Sequence, residues 1–468
     1  MNDLSGFRIL VLGAGRSGCA AARLARAHGA EVTVLDSAPQ EKLASVQESL
    51  AREGIALECG CTSESWEGPE IFRVVVSPGI ALDSPLHRLG ESTGAPLVGE
   101  LEFGASYLHC PFYAVTGTNG KTTTTELLAT CLEAAGRKVL AAGNIGLPLS
   151  QVALDAPELD ALVVEVSSFQ MEHAASFRPV MAILLNVTPD HLNRHGSLEK
   201  YRECKCRLLE QVSPGGHVVY HSALEKYLKL ASGVSRSRLW LRGEPLETTG
   251  RPEAKEWLVE ADGLRVLDGD GAAEGTLLMP RSRFQLQGSH NLANALAVVA
   301  ALDALGIPLD SYRGALSDFR SGPHRIQTIA TRKGVQYVDD SKATDVDAMI
   351  QALRTLGPVA GKKLHLIAGG LDKGCALGEV KTELRMYVKD VYLIGACRQR
   401  LAAEWGDQVP CRQCQSLEEA VSLAAEQSEP GDTVLLSPGC ASMDMFRSYE
   451  ERGERFAAAV SALPGEPS

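Results

Sequence analysis

The chain is short of positive charge. Its 46 lysines and arginines face 58 aspartates and glutamates, a formal net charge of −12, so the basic footprint of a nucleic-acid surface is absent. No apolar run is long enough to span a bilayer. The opening Met1-Asn2-Asp3-Leu4-Ser5-Gly6-Phe7 lacks a basic segment followed by an apolar one, so no signal peptide and a cytoplasmic location are expected. Twelve cysteines are present but scattered. The one Cys-x-x-Cys, Cys411 and Cys414, has no second pair at zinc spacing and sits before Ser416, outside any expected strand–helix redox setting. The thiols are therefore expected to be reduced, mostly packing residues. What remains is an ordinary globular composition: 468 residues, 45% hydrophobic and 22% charged, enough for about three domains.

The chain is organised around Thr116-Gly117-Thr118-Asn119-Gly120-Lys121-Thr122-Thr123. The apolar run Phe112-Tyr113-Ala114-Val115 leads in as a strand, and a helix is expected from about residue 124 to 135. A glycine-bearing turn between strand and helix aims backbone N–H groups and the positive end of the helix dipole at one spot, which suits phosphate. Lys121 adds a charge that reaches the outer phosphates, and the Thr122 hydroxyl is where phosphate-bound Mg²⁺ takes a ligand. Standard Walker A spacing would need glycine at position 115, which is Val115. The plain alternative is a Gly-Lys-Thr turn that merely starts a helix.

Upstream, Arg8-Ile9-Leu10-Val11-Leu12 reads as a buried strand. It is followed by Gly13-Ala14-Gly15-Arg16-Ser17-Gly18, an Ala-rich helix over 19–28, and a second strand ending on Asp36. This is a full dinucleotide fingerprint, and alone it reads as an NAD(P) domain. It stops after one mononucleotide half, and a dehydrogenase has no use for a second loop at Thr116, so a phosphate-bearing substrate such as a nucleotide diphosphate compound is preferred. A third strand, Val74-Val75-Val76, runs into Ser77-Pro78-Gly79 at the sheet edge where ligands bind.

In the middle of the chain, Glu165 sits inside an otherwise apolar strand. A buried carboxylate needs compensation: Mg²⁺, which favours oxygen ligands, or a buried arginine. The turn Gly143-Asn144-Ile145-Gly146 follows a strand at 138–141. A further strand ends in Thr188-Pro189-Asp190-His191-Leu192, where His191 is equally a site residue or a packed one. A helix over 197–212 carries Tyr201, Lys205 and Arg207, by composition a solvated face, and residues 222–285 carry no signal. Asn291 and Asn294 share one face at the start of a helix, where they contact a base or phosphate or cap the helix.

The last part alternates strands and helices again. Its strands end in Asp340-Ser341-Lys342-Ala343-Thr344, in the turn 369–374 with Lys373, in Gly395-Ala396, and in Ser437-Pro438-Gly439-Cys440-Ala441-Ser442. Lysines and hydroxyls at one edge suit a carboxylate or phosphate, so a small co-substrate or closure over a nucleotide is expected here.

The phosphate loop, Glu165-Val166-Ser167-Ser168-Phe169-Gln170, Asn186-Val187-Thr188-Pro189-Asp190-His191-Leu192 and His290-Asn291-Leu292-Ala293-Asn294 together resemble the Mur ligase superfamily, the ATP-dependent amino-acid ligases of peptidoglycan precursor synthesis. The match runs in order through nearly the whole chain. The first glycine fingerprint, the 340–344 turn and the tail from Ser437 to Met443-Asp444-Met445-Phe446 resemble the branch that adds D-glutamate to UDP-N-acetylmuramoyl-L-alanine. The Asp-Asn-Pro-Arg motif of the diaminopimelate- or lysine-adding branch is absent.

The resemblance implies an α/β fold of three domains: a Rossmann-like UDP-sugar domain at 1–99, a central P-loop-like ATP domain at 100–321, and a C-terminal Rossmann-like amino-acid domain at 322–468. It implies Lys121, His191 and Lys205 as catalytic residues. ATP would be held by Gly117, Thr118, Asn119, Gly120, Lys121, Thr122 and Thr123, by Asn291 and Asn294 at adenine, and by Arg325 and Asp340. Thr122 and Glu165 would bind Mg²⁺, His191 would serve a second Mg²⁺, and Lys205 matches the lysine these ligases carbamylate into a metal ligand. Around D-glutamate stand Thr344, Lys373, Ser442 and Tyr449, with Ser341 and Lys342 as further substrate-binding residues. Around the UDP-sugar stand Gly15, Ser17, Gly18, Asp36, Ser77, Pro78, Gly79 and Asn144. Asp345, Gly439, Met443 and Tyr449 depart from the residues usual in that pattern. The resemblance also implies a monomer that closes its C-terminal domain before chemistry. Rival readings are an NAD-dependent oxidoreductase, a nucleotide-binding regulator without catalysis, and a sister ligase such as a folylpolyglutamate synthase or the L-alanine-adding enzyme.

Overall fold

The computed structural model describes residues 3–241, 254–260, 262–267, 275–286, 288–320, 322–372 and 377–464. They form two compact units, one drawn from residues 1–186, 202–283 and 294–317, the other from 187–201, 284–293 and 318–468.

Two sheets lie in the first unit. The first holds β1 (Arg8–Leu12), β2 (Glu31–Asp36), β3 (Ala56–Cys59), β4 (Arg73–Val76) and β5 (Leu97–Gly99), in the order β3-β2-β1-β4-β5, every neighbour parallel. The helix Arg16–Ala27 buries Cys19, Ala21, Ala22, Leu24 and Ala25 against Ile9, Val11, Val32 and Val34. Its small residues let it lie close to the sheet. At Gly18 an added Cβ would stand 1.8 Å from the Gly13 carbonyl oxygen, which is the packing the last fingerprint glycine permits. The strands β3 and β5 were not expected. One is half exposed and the other has three residues, so neither gives a clear apolar run.

The second sheet holds β6 (Phe112–Thr116), β7 (Val139–Gly143), β8 (Ala161–Glu165), β9 (Met181–Leu184), β10 (His217–His221), β11 (Ser235–Leu241), β12 (Ala254–Glu260), β13 (Gly263–Leu267) and β14 (Thr276–Pro280). Its order is β14-β13-β12-β11-β10-β9-β6-β8-β7. The strands β6 to β12 run parallel, whereas β13 and β14 are antiparallel additions. Because β6 lies between β8 and β9, strand order reverses there, which opens a crevice at the carboxyl ends. The stretch without sequence signal thus supplies the four strands at one side of the sheet, β11 to β14. Its charges hid the pattern: buried Arg238 on β11 pairs with Glu225 at 3.1 Å and Glu256 at 3.2 Å.

The second unit carries β15 (Gln327–Arg332), β16 (Val335–Asp339), β17 (Leu364–Gly369), β18 (Val388–Ile394), β19 (Cys411–Gln413) and β20 (Thr433–Leu436), in the order β15-β16-β20-β17-β18-β19. All pairs but β15–β16 are parallel. Asp339 and Ile367 both pair with Leu436, so the turns after β16, β17 and β20 share one edge. Helices bury apolar clusters on both faces. The Cys-x-x-Cys expectation needs correction, because Cys411 begins β19 and the helix Leu417–Gln427 follows, so the pair does sit on a strand–helix connection. Burial nonetheless pushes both thiols up to about 11, the state of an inert cysteine. No described helix is long and apolar enough to cross a membrane.

Candidate active site

At the end of β6 the chain turns through Gly117 to Gly120 and enters the helix Lys121–Ala134. That helix has no side-chain cap and no acidic residue in its first turn, so its positive end is left for an anion. Gly120 has φ +83°, and an added Cβ would stand 2.4 Å from Asn294 Oδ1. The loop is braced by Asn186, just past β9. The Thr118 N–H donates to the Asn186 carbonyl at 3.0 Å and the Asn119 N–H to Asn186 Oδ1 at 2.9 Å, while Asn186 Nδ2 returns a bond to the Asn119 carbonyl at 3.1 Å. Asn186 stood in a sequence motif but was given no role. Thr122 and Thr123 are buried.

Lys121 Nζ donates to the carbonyls of Gly117 and Thr118, at 2.9 and 2.6 Å. Lys205 is not on a solvated face. It is 1% exposed, and its Nζ donates to the same Gly117 carbonyl at 2.6 Å. Glu165, the last residue of β8, pairs in register with Val115 and so stands beside the loop. Its partner is an amide, not an arginine: Asn144 Nδ2 donates to Oε1 at 2.7 Å. Oε2 is buried and has no hydrogen-bond partner among the described residues. Asn144 therefore lies against Glu165, although the resemblance gave it to the UDP-sugar. Asn294 belongs to this unit and Asn291 to the other.

On the first sheet, Asp36 accepts from the N–H groups of Ala14 at 2.7 Å and Ala38 at 2.8 Å. Gly15 caps the helix Arg16–Ala27, with Ser17 and Gly18 in its first turn. Ser77 Oγ donates to the Gly13 carbonyl at 3.3 Å, and its own carbonyl closes the Ser77-Pro78-Gly79 turn on Ile80 N–H at 3.0 Å. Arg16 reaches the Gly146 carbonyl at 2.6 Å.

In the second unit the His191 backbone N–H donates to Asp190 Oδ1 at 2.8 Å, and its Nε2 lies 3.2 Å from Asp190 Oδ2. His191 has φ +54°, and His324 and Ile326, on either side of Arg325, have φ +67° and +43°. Such backbone is costly for residues with a Cβ and collects at functional sites. Asp340 accepts from Ser437 Oγ at 2.7 Å and Ile326 N–H at 3.2 Å. Burial pushes its carboxyl up to about 7, against the pull of Ser437, Ile326 and Arg325. His290 is half-buried, and the desolvation of its ring, with the nearby Arg325 charge, pushes it down to about 4. Ser341 is buried, and the Lys342 ammonium lies 5.1 Å from the centre of the Tyr449 ring. Thr344 follows buried Ala343, whose carbonyl accepts from Gly439 N–H at 2.9 Å. Ser442 is buried at the end of its turn. Lys373 lies outside the described residues.

Sequence reasoning missed Arg452. It is fully buried, donates to the Ser341 carbonyl at 2.8 Å and the Cys440 carbonyl at 3.0 Å, and so ties the 340–344 and 437–442 turns together. Two departures from the family pattern have local reasons. Asp345 caps the helix Val346–Ala360 by accepting from Ala348 N–H at 2.8 Å, which Asn would do as well. Gly439 has φ +65°, a conformation glycine takes without strain.

A phosphate loop at the switch point of one sheet, with a parallel sheet before it and a mostly parallel sheet after it, defines a three-domain α/β nucleotide-loop protein. Three family descriptions match in chain order: "Mur ligase MurD-like, N-terminal domain" over residues 7–99, "Mur ligase middle domain" over 115–302, and "Mur ligase, glutamate ligase domain" over 324–440. The chain belongs to the Mur ligase family. It is similar to the UDP-N-acetylmuramoylalanine–D-glutamate ligases of Koribacter versatilis, 38% identical over 98% of both chains, and of Pelotomaculum thermopropionicum, 38% identical over 99% of both. Among solved structures it matches the UDP-N-acetylmuramate–alanine ligase of Thermotoga maritima with a TM-score of 0.61 at 21% identity, covering 97% of this chain and 99% of that one. The MurF ligase of the same organism, solved with ADP, matches with a TM-score of 0.56 at 17% identity over 98% and 96%. These two likenesses bear on the fold.

Proposed function

We propose that the chain is an ATP-dependent ligase that joins D-glutamate to UDP-N-acetylmuramoyl-L-alanine in peptidoglycan precursor synthesis, as a cytoplasmic monomer. One observation carries the reading. An uncapped, basic helix N-terminus at Lys121 stands beside a buried Glu165 oxygen without a hydrogen-bond partner among the described residues, in a chain whose full-length relatives bear that name. Residues 1–99 would serve the UDP-sugar, 100–321 ATP and 322–468 D-glutamate.

In this reading the loop from Gly117 to Thr123 wraps the ATP phosphates and Lys121 meets the γ-phosphate. Mg²⁺ fits the residues present. The Thr122 hydroxyl and Glu165 Oε2 are hard oxygen donors, and Mg²⁺ is commonly held by one or two such groups plus phosphate. A second ion would be served by His191. The ions would neutralise charge on the transferring phosphoryl group. Lys205 is proposed to be carbamylated, because its ammonium and that of Lys121 share one carbonyl acceptor. A carbamate replaces that like-charge pair with an attractive one and offers the metal an oxygen.

Asn291 and Asn294 would meet adenine, and Arg325 and Asp340 the remainder of ATP. Ser341, Lys342, Thr344, Ser442 and Tyr449, with Lys373, would surround D-glutamate. Gly15, Ser17, Gly18, Asp36, Ser77, Pro78, Gly79 and Asn144 would face the UDP-sugar. The acceptor carboxylate attacks the γ-phosphorus and ADP leaves. The D-glutamate amine then attacks the acyl carbon, phosphate leaves, and the amide remains. Lys121 holds charge on the phosphoryl oxygens, which is electrostatic and positional catalysis. With ¹⁸O in the acceptor carboxylate, one label is expected in the released phosphate. Unlabelled phosphate, or a nicotinamide absorbance change on turnover, would overturn the reading.

A further inference from the structure

The described cysteines are all free thiols. Most stand alone, and burial pushes Cys131 up to about 12 and Cys206 up to about 11. One pair differs. Cys397 Sγ and Cys440 Sγ lie 3.4 Å apart and share a hydrogen bond, with Cys397 7% and Cys440 2% exposed. They come from two turns at the carboxyl edge of the third sheet, one after β18 and one after β20. Both turns are tied to their surroundings. Cys397 N–H donates to the Gly370 carbonyl at 3.1 Å, and Ala441 exchanges bonds of 2.8 and 3.0 Å with Leu371. Ala396 N–H donates to Asp444 Oδ2 at 2.7 Å.

We propose that Cys397 and Cys440 form a modification site, a dithiol that peroxide closes to an intramolecular disulfide, thereby disabling the turn that carries Ser442. Cys397 is the first to react. It is the more exposed of the two, and the hydrogen bond shared with Cys440 lowers its thiol below the ordinary value against the effect of burial, which favours the reactive thiolate. The thiolate attacks one peroxide oxygen and breaks the O–O bond, giving a sulfenic acid and, after proton transfer, water. The Cys440 thiol attacks that sulfur, the S–O bond breaks, and a second water leaves. Two thiols lose two electrons and two protons, and one hydrogen peroxide becomes two waters.

A disulfide is about 2.0 Å long, so closure brings the two sulfurs, 3.4 Å apart, closer by roughly an ångström and pulls on the turns that carry them. Ser442 is two residues from Cys440, and misplacing a binding group by that much costs on the order of a hundredfold in favourable cases. The consequence for turnover rests on the D-glutamate reading above, whereas the cross-link does not.

The full chain is treated with hydrogen peroxide, alkylated, peptide-mapped and assayed, beside Cys397→Ala. The expected result is a linked peptide joining Cys397 to Cys440, and a KM for D-glutamate raised about fivefold or more with that for ATP unchanged. Dithiothreitol should reverse both, and Cys397→Ala should keep its activity through the treatment. Absence of the linked peptide, equal inactivation of Cys397→Ala, or a linked chain with an unchanged KM for D-glutamate would each overturn the proposal. A reduced chain that never ligates D-glutamate, yet forms the linked peptide, would refute the activity and the switch while leaving the cross-link standing.

Discussion

Two strand–turn–helix loops in the first unit begin alike and diverge in charge. The loop from Gly13 to Gly18 carries an anion within it, since the Asp36 carboxylate already takes the Ala14 N–H. Its one cation, Arg16, reaches away to the Gly146 carbonyl. The loop from Thr116 to Thr123 is braced by a neutral amide, Asn186, and two ammonium groups meet at its Gly117 carbonyl. Backbone geometry is therefore shared, and ligand preference is set by what leans on the loop. A built-in carboxylate suits a ligand that offers hydroxyl groups, while Lys121 at a helix N-terminus with no side-chain cap and no acidic residue in its first turn suits the most anionic group available.

The sharpest way to break this contrast is to remove a cation from each loop. Lys121→Ala is expected to lower kcat for phosphate release by about a thousandfold or more, and Arg16→Ala by less than about tenfold, because among the described residues its exposed side chain bonds only a carbonyl. Equal losses would erase the distinction. Lys205→Ala should also be inactive, but with partial recovery when a short carboxylic acid such as acetate is added. An unsupplemented variant with full activity would end the carbamate reading.

Smaller effects separate the scaffold from the loops. Glu100, buried with one oxygen on the Ser150 N–H at 2.8 Å, is pushed up to about 7 from its ordinary 4.5. Between those pH values the folded chain holds a proton that the unfolded chain has lost, so stability falls as pH rises from 4.5 to 7. Glu100→Gln removes that dependence. Its stability relative to the native chain should be constant below the lower value and rise by about 3 kcal/mol through the window, as denaturant titrations at several pH values would reveal. Least of all, Gly18→Ala should cost about 1–3 kcal/mol in overpacking, because its Cβ meets the Gly13 carbonyl. Gly15→Ala should cost little, since nothing lies within 4 Å of its Cβ. Matching melting temperatures for the two variants would contradict the packing argument.

The phosphate loop and Glu165 were legible because their signals are contiguous: glycines and a lysine between strand and helix, and one charge in an apolar run. The second unit's turns were legible as turns, but not as one assembly. Asp340 meets Ser437 across 97 residues and Arg452 meets Ser341 across 111, contacts that no local spacing encodes. Lys205 looked like surface because a basic residue on a helix gives no sign of burial. The strands from β11 to β14 were hidden by paired charges and exposed edges. Local chemistry is written along the chain, whereas the braces that hold it arrive from afar.

The central claim is tested most directly by phosphate release from ATP with UDP-N-acetylmuramoyl-L-alanine and a panel of D- and L-amino acids. Release together with an amide product is expected with D-glutamate and not with L-alanine, L-lysine or diaminopimelate. A preference for any other amino acid, or release independent of one, would contradict the account.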